Sequence, residues 1–174
     1  AGERTWAQRG ILRREDRVDR SLRPGAWRGG EMVGVSAQSN SINVAIAAWE
    51  WPSYFDPAER LRGIRLDHAI YRRPDPATAP SKAKAAGLYM ICTMSKHAAE
   101  AIGCSDAMMF DYRGYEAEAT GANIFFVKDG EVHTPLPDCF LNGLTRQTVI
   151  GMLEQRGINV IERHIMPDEL ADFE

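Results

Sequence analysis

A mixed α/β fold is expected, on two observations. Strand-like apolar segments at residues 41–51 and 63–71 are followed by helical periodicity over 85–103. A hairpin pattern over 123–134 is then followed by a second helical stretch at 145–156. The chain has 174 residues, 44% of them hydrophobic and 26% charged, within the ordinary globular range and long enough to bury a sizeable core.

The elements read in order as follows. Residues 1–21 mix both charges with weak periodicity, giving an exposed helix or arm; acids interleaved with Arg9, Arg13, Arg14 and Arg17 make it a solvated face. Residues 41–51 are almost continuously apolar and stop at Pro52, as a buried strand would. Residues 63–71 alternate Ile64, Leu66 and Ile70 with polar neighbours, the pattern of a half-buried strand. Three prolines make residues 72–81 a stiff loop.

Residues 85–103 form the best helix, with Gly103 as its stop. A short strand at 107–110 and a turn at Arg113-Gly114 follow. Asp129-Gly130 is a primed-turn dipeptide joining strands at 123–128 and 131–134. The second helix is preceded by Gly143 and stopped by Gly157. Residues 159–164 alternate like a strand, and a further helix opens at Pro167. With no closing element after it, the chain reads as truncated.

Several function classes are disfavoured. A formal net charge of −3 argues against nucleic acid as a partner. No apolar run is long enough for a membrane span. Cys92, Cys104 and Cys139 are odd in number and widely spaced, so they read as reduced thiols in a cytoplasmic protein. The four histidines show no metal-ligand spacing. Trp27, Trp49 and Trp51 read as core or interface, Met90, Met94, Met108 and Met109 as core filler.

Three features carry chemistry. Only four of the 21 basic side chains are lysines. One of them, Lys84, is flanked by Ala83, Ala85, Ala86 and Gly87, which leave room for a bulky planar group; a desolvated lysine there could form a Schiff base. The same spacing also suits a solvated surface lysine. Glu118 lies among small residues, and a buried carboxylate beside a heterocyclic nitrogen keeps that nitrogen protonated; a surface carboxylate is the plainer reading. Gly143 precedes a helix start at which Thr145 adds a hydroxyl, an arrangement suited to an anion or to an ordinary cap. An amine, a carboxylate and an anion site are what pyridoxal 5'-phosphate requires for its aldehyde, ring nitrogen and phosphate.

The segment from Glu118 to Arg146 closely resembles the signature of class IV pyridoxal-phosphate aminotransferases. Glu118, Thr120, Asn123, Ile124, Phe125, Thr134, Gly143, Thr145 and Arg146 carry the match. Upstream, TAPSKAKAAGLY resembles the segment bearing the Schiff-base lysine, five residues before a tyrosine. Lys84 and Tyr89 have that spacing and Lys82 does not. The stretch LRPGAWRGGEMVGVS resembles the arginine-proline strand of the branched-chain type.

The resemblance runs from about Leu22 to Leu170. It implies an incomplete D-amino-acid-aminotransferase-like fold of type IV, mainly the large C-terminal domain. Residues 1–21 would be a poorly matched arm, 22–80 the end of the small domain with the first large-domain strands, and 81–174 the cofactor-binding part. It implies pyridoxal 5'-phosphate bound at Lys84, with Lys84 also shuttling the proton. Tyr89 would bond the phenolic oxygen, Glu118 the ring nitrogen, and Leu144 and Thr145 the phosphate. Arg23 would help arrange the substrate pocket, although Ser21 stands where the family's strand has tyrosine. Asn123 and Arg146 would hold the scaffold.

The activity implied is transamination of branched-chain amino acids with 2-oxoglutarate by a homo-oligomer. A D-amino-acid aminotransferase, an aminodeoxychorismate lyase or an inactive fragment are the alternatives.

Overall fold

The computed structural model describes residues 20–30, 34–51 and 57–174. The arm expected over residues 1–21 therefore lies outside the described residues up to residue 19. The chain divides into two compact units, Ala1–Pro57 and Ala58–Glu174.

In the first unit, β1 (Arg20–Gly29) pairs antiparallel with β2 (Ser41–Glu50), placing Arg23 opposite Ala47. The strand expected near residues 41–51 is present, but it is exposed along its whole length rather than buried. Its apolar composition fits a strand covered on both faces, whereas here it belongs to a two-stranded ribbon. Trp27 and Trp49 are correspondingly exposed, and Trp49 makes an edge contact with Trp51 at 5.8 Å.

After the short helix α1 (Pro57–Arg62) comes β3 (Leu66–His68), shorter than the alternation suggested. It runs parallel to β4 (Asp106–Phe110), a pairing that needs a crossover. The proline-rich loop, a 3-10 turn at Ala86–Leu88 and helix α2 (Tyr89–Ala101) supply it. Cys92, Ser95 and Ala99 form the buried stripe of α2, and Ala99 packs with Cys104 and Ala107. The methionines divide accordingly: Met108 and Met109 on β4 are buried, whereas Met90 and Met94 on α2 are exposed.

Gly103, at φ +81°, ends α2: its N–H donates to Glu100 O at 3.0 Å while Cys104 N–H donates to Ala99 O at 3.0 Å. Gly157 (φ +73°) ends the helix expected over residues 145–156 in the same way.

Strand β5 (Glu116–Ala119) pairs antiparallel with β4 and completes the sheet order β3-β4-β5. A register shift at Met109/Phe110 sets Phe110 opposite Glu116 and Met109 opposite Glu118. A second three-stranded sheet, β6 (Phe126–Lys128), β7 (Glu131–Pro135) and β8 (Val160–Arg163), holds the hairpin. Asp129 (φ 52°) and Gly130 (φ 79°) both take the left-handed conformation of a primed turn. Helix α3 (Leu144–Glu154) provides the crossover between parallel β7 and β8. The last expected helix is a 3-10 segment, Pro167–Asp172, whose Glu169 carboxylate accepts the Met166 N–H at 2.7 Å.

Among the described residues, no helix is long and apolar enough to cross a membrane. All three cysteines are buried and unpaired. Asp111, Asp138 and Cys139 bring ligand-type atoms within 4.8 Å, but the Arg113 guanidinium already bridges the two carboxylates.

Glu116 is the least comfortable residue of β5. It is 2% exposed, and neither carboxylate oxygen has a hydrogen-bond partner. His68 Nε2 lies 3.8 Å from one of its oxygens. Burial pushes the carboxyl up to about 7. The folded state therefore holds a proton that an unfolded chain releases above the ordinary carboxylate range. Stability is full below that range and declines as pH rises through about 7. Glu116→Met should raise the unfolding free energy at pH 8 by about 1–3 kcal/mol and change it little at pH 4. Denaturant melts at the two pH values check this.

Candidate active site

Lys84 follows the proline-rich loop, and Tyr89 opens α2 five residues later. The 3-10 turn between them folds the chain back, so that Lys84 Nζ donates to Tyr89 Oη at 2.7 Å. The same nitrogen lies 4.8 Å from the centre of the tyrosine ring. Lys84 is otherwise exposed and Tyr89 half-buried, so the amine faces an open side while its hydrogen bond fixes its direction.

Glu118 is buried on β5 opposite Met109. Burial pushes its carboxyl up to about 7, against the opposing pull of Arg73 and then Lys84. The amine and the acid are thus close enough to act on one another. Arg73 Nε lies 3.2 Å from Glu118 Oε1, while Asn123 Nδ2 donates to Oε2 at 3.0 Å.

Asn123 links this acid to the start of α3. Its Nδ2 also donates to Leu141 O at 3.0 Å, and its Oδ1 accepts the Gly143 N–H at 3.2 Å. Gly143 is in ordinary extended backbone, so space rather than dihedral angle demands glycine there. A Cβ would run into Asn123 Oδ1. Gly143 caps α3 with no side-chain bond, which leaves the amides of the first turn, Leu144 and Thr145 among them, without a side-chain acceptor. Both residues are exposed. The turn is held from behind by Arg146, whose guanidinium donates to Asn142 Oδ1 at 3.0 Å, Pro135 O at 3.0 Å and Glu162 Oε2 at 2.6 Å.

The structure thus brings Lys84, Tyr89, Glu118 and the Leu144-Thr145 helix start into one unit. Arg23 is an exposed residue of β1 in the other unit. The residue that sequence reasoning missed is Arg73. An arginine beside three prolines reads as solvated, yet its backbone bridges to Asp111 and its side chain is turned inward. No spacing signal marks it.

The donor set fits pyridoxal 5'-phosphate: a directed amine, a buried acid near it, and an uncapped helix start across one asparagine from that acid.

Two mixed sheets, each with a parallel pair closed by a crossover helix, carry this set. A family model described as amino-transferase class IV matches residues 6–174, and the chain belongs to that family. A probable branched-chain-amino-acid aminotransferase of Rickettsia conorii is 37% identical over 163 residues, 94% of this chain and 55% of that protein. The branched-chain aminotransferase of the thermophilic archaeon Thermoproteus uzoniensis, solved with norvaline, superposes with a TM-score of 0.82 at 31% identity, over 88% of this chain and 51% of that one. An aminotransferase from Brucella abortus bound to PLP gives 0.77 at 32% identity, over 90% and 55%. The fold is therefore that of the fold type IV branched-chain aminotransferases, and the chain spans about half the length of the relatives it matches.

Proposed function

We propose that this chain carries the cofactor-binding part of a pyridoxal-phosphate transaminase that moves the amino group of Leu, Ile or Val to 2-oxoglutarate, yielding the 2-oxo acids and glutamate. The observation that carries the reading is the Lys84–Tyr89 hydrogen bond of 2.7 Å, made within electrostatic reach of buried Glu118. The branched-chain assignment draws support from the names of the relatives in Rickettsia conorii and Thermoproteus uzoniensis.

When bound, the cofactor supplies an electron sink for the pair left at the substrate α-carbon. Lys84 would be the amine that holds it, and the same amine would accept and return the substrate's α-proton, general base and acid in turn. Tyr89 directs Lys84 and lends its hydroxyl to the phenolic oxygen. Glu118 would lie at the ring nitrogen and, as a carboxylate, would favour a proton on it. The amides of Leu144 and Thr145, with the Thr145 hydroxyl, receive the phosphate at the positive end of α3. Arg23 contributes to the substrate pocket, an assignment that rests on its place in the arginine-proline strand. A homo-oligomer and a cytoplasmic location complete the reading; three buried, unpaired thiols support the latter.

The test is chemical. After incubation with pyridoxal phosphate and reduction with borohydride, peptide mass spectrometry should find the phosphopyridoxyl group on Lys84. A label on Lys82, or none, overturns the assignment. Amino transfer from leucine, isoleucine and valine to 2-oxoglutarate is then assayed on the loaded protein, with D-alanine as the discriminating donor.

A further inference from the structure

We propose that Arg73 is a positioning residue for Glu118: its buried guanidinium, 3.2 Å from Oε1, is the standing charge partner of that carboxylate, while the Asn123 amide directs the other oxygen. The role toward the cofactor ring rests on the reading above; the ionic coupling of the two side chains does not.

Arg73 is anchored before its side chain begins. Its N–H donates to Phe110 O at 2.7 Å, and it bridges in parallel to Asp111. The side chain is 5% exposed, and its Nη1 donates to Cys92 Sγ at 3.2 Å. A guanidinium does not lose its proton in a protein, so a buried one requires a nearby negative charge. Among the described residues the carboxylate paired with it is Glu118, at 3.2 Å. The Nε contact lacks the alignment of a hydrogen bond, so Arg73 acts on Oε1 through charge. The directed bond comes from Asn123 on the other oxygen. One carboxylate oxygen is thus held by geometry and the other by electrostatics.

Among the described residues, four groups act on Glu118 from the elements around it. Arg73 approaches from the loop after β3, Lys84 from the loop before α2, the Cys92 thiol from α2 and the Asn123 amide from the loop after β5. Cys92 is itself pushed up by burial, so it stays a neutral thiol and contributes no competing charge. Lys84 changes its covalent state during the proposed reaction. Arg73 is therefore the permanent cation of the pair.

The test reads the carboxyl directly. In cofactor-free protein with 13C-labelled glutamate carboxyls, assigned with Glu118→Gln, the Glu118 midpoint should rise by about one pH unit or more in Arg73→Met. Arg73→Lys should restore most of that shift. Should Arg73→Met not fold, a second measurement answers: the 15Nε resonance of Arg73 should titrate with the Glu118 midpoint in the wild-type protein and stop doing so in Glu118→Gln.

In the loaded protein, Arg73→Met should move the acid limb of the transamination pH profile upward while Arg73→Lys returns it. A folded Arg73→Met with an unmoved Glu118 midpoint, or an Arg73 resonance blind to Glu118, overturns the proposal. Borohydride labelling of Lys84 is scored separately. A chain that shows the coupled titration but takes no label sinks the cofactor reading and leaves the Arg73–Glu118 coupling standing.

Discussion

Lys84→Ala is expected to abolish covalent capture of pyridoxal phosphate and to lower transamination by at least about 10³-fold, combining the loss of the attaching amine with the loss of the proton carrier. Lys82→Ala is the matched control. The two lysines are two positions apart in one loop, share its charge and are both exposed. They differ in what the structure gives them. Lys84 donates to Tyr89 at 2.7 Å and bears on the buried Glu118. Lys82 has neither relation among the described residues. Visible absorbance at a fixed cofactor concentration reads capture, and a coupled glutamate assay reads turnover. Equal loss in both variants would falsify the assignment, because charge alone would then be responsible. Added alkylamines should partly restore the proton-transfer step in Lys84→Ala, and they should do nothing for Lys82→Ala.

The second large effect is structural. Arg146→Ala should destabilise the chain by about 3–5 kcal/mol, because it leaves polar groups arranged around an absent cation. Arg146 is 2% exposed and among the largest fully buried side chains. Its Nη2 serves both Pro135 O and Glu162, its Nη1 serves Asn142, and its Nε lies 3.4 Å from Thr134 Oγ1. It ties β7, β8 and the turn before α3 to one planar group. Arg146→Lys keeps the charge but cannot serve that fork, so it should recover only part of the loss. Thermal melts should show a drop on the order of 10 °C for alanine and a smaller one for lysine. A melting point within about 2–3 °C of wild type for alanine would show that the network contributes little.

What was legible in the sequence follows physical range. Local signals worked: Gly103 and Gly157 end their helices in the left-handed conformation, and Asp129-Gly130 turns the hairpin. A single residue type can specify those backbone states. Strand β5 was missed because Glu116-Ala117-Glu118-Ala119 has poor strand propensity and buries two acids. Only its neighbours, β4 on one side and the Ile165 carbonyl that accepts the Glu116 N–H at 2.9 Å on the other, make it a strand.

The burial expected of residues 41–51 failed for a related reason: an apolar run states what a strand tolerates on its faces, while coverage depends on what packs there. In the candidate site, the five-residue spacing of Lys84 and Tyr89 was visible as a resemblance, and a 3-10 turn converts it into a contact. Arg73 left no trace, because its partner Glu118 is distant in the chain and neither residue belongs to a local motif that links them.

The two acids buried on one four-residue strand have a consequence for the whole molecule. Burial pushes both carboxyls up to about 7, so near neutrality Glu116 and Glu118 retain more proton than the same groups in an unfolded chain. Folding near pH 7 therefore takes up protons from the buffer through these two groups. Calorimetric folding enthalpies will then depend on the buffer's own heat of ionisation.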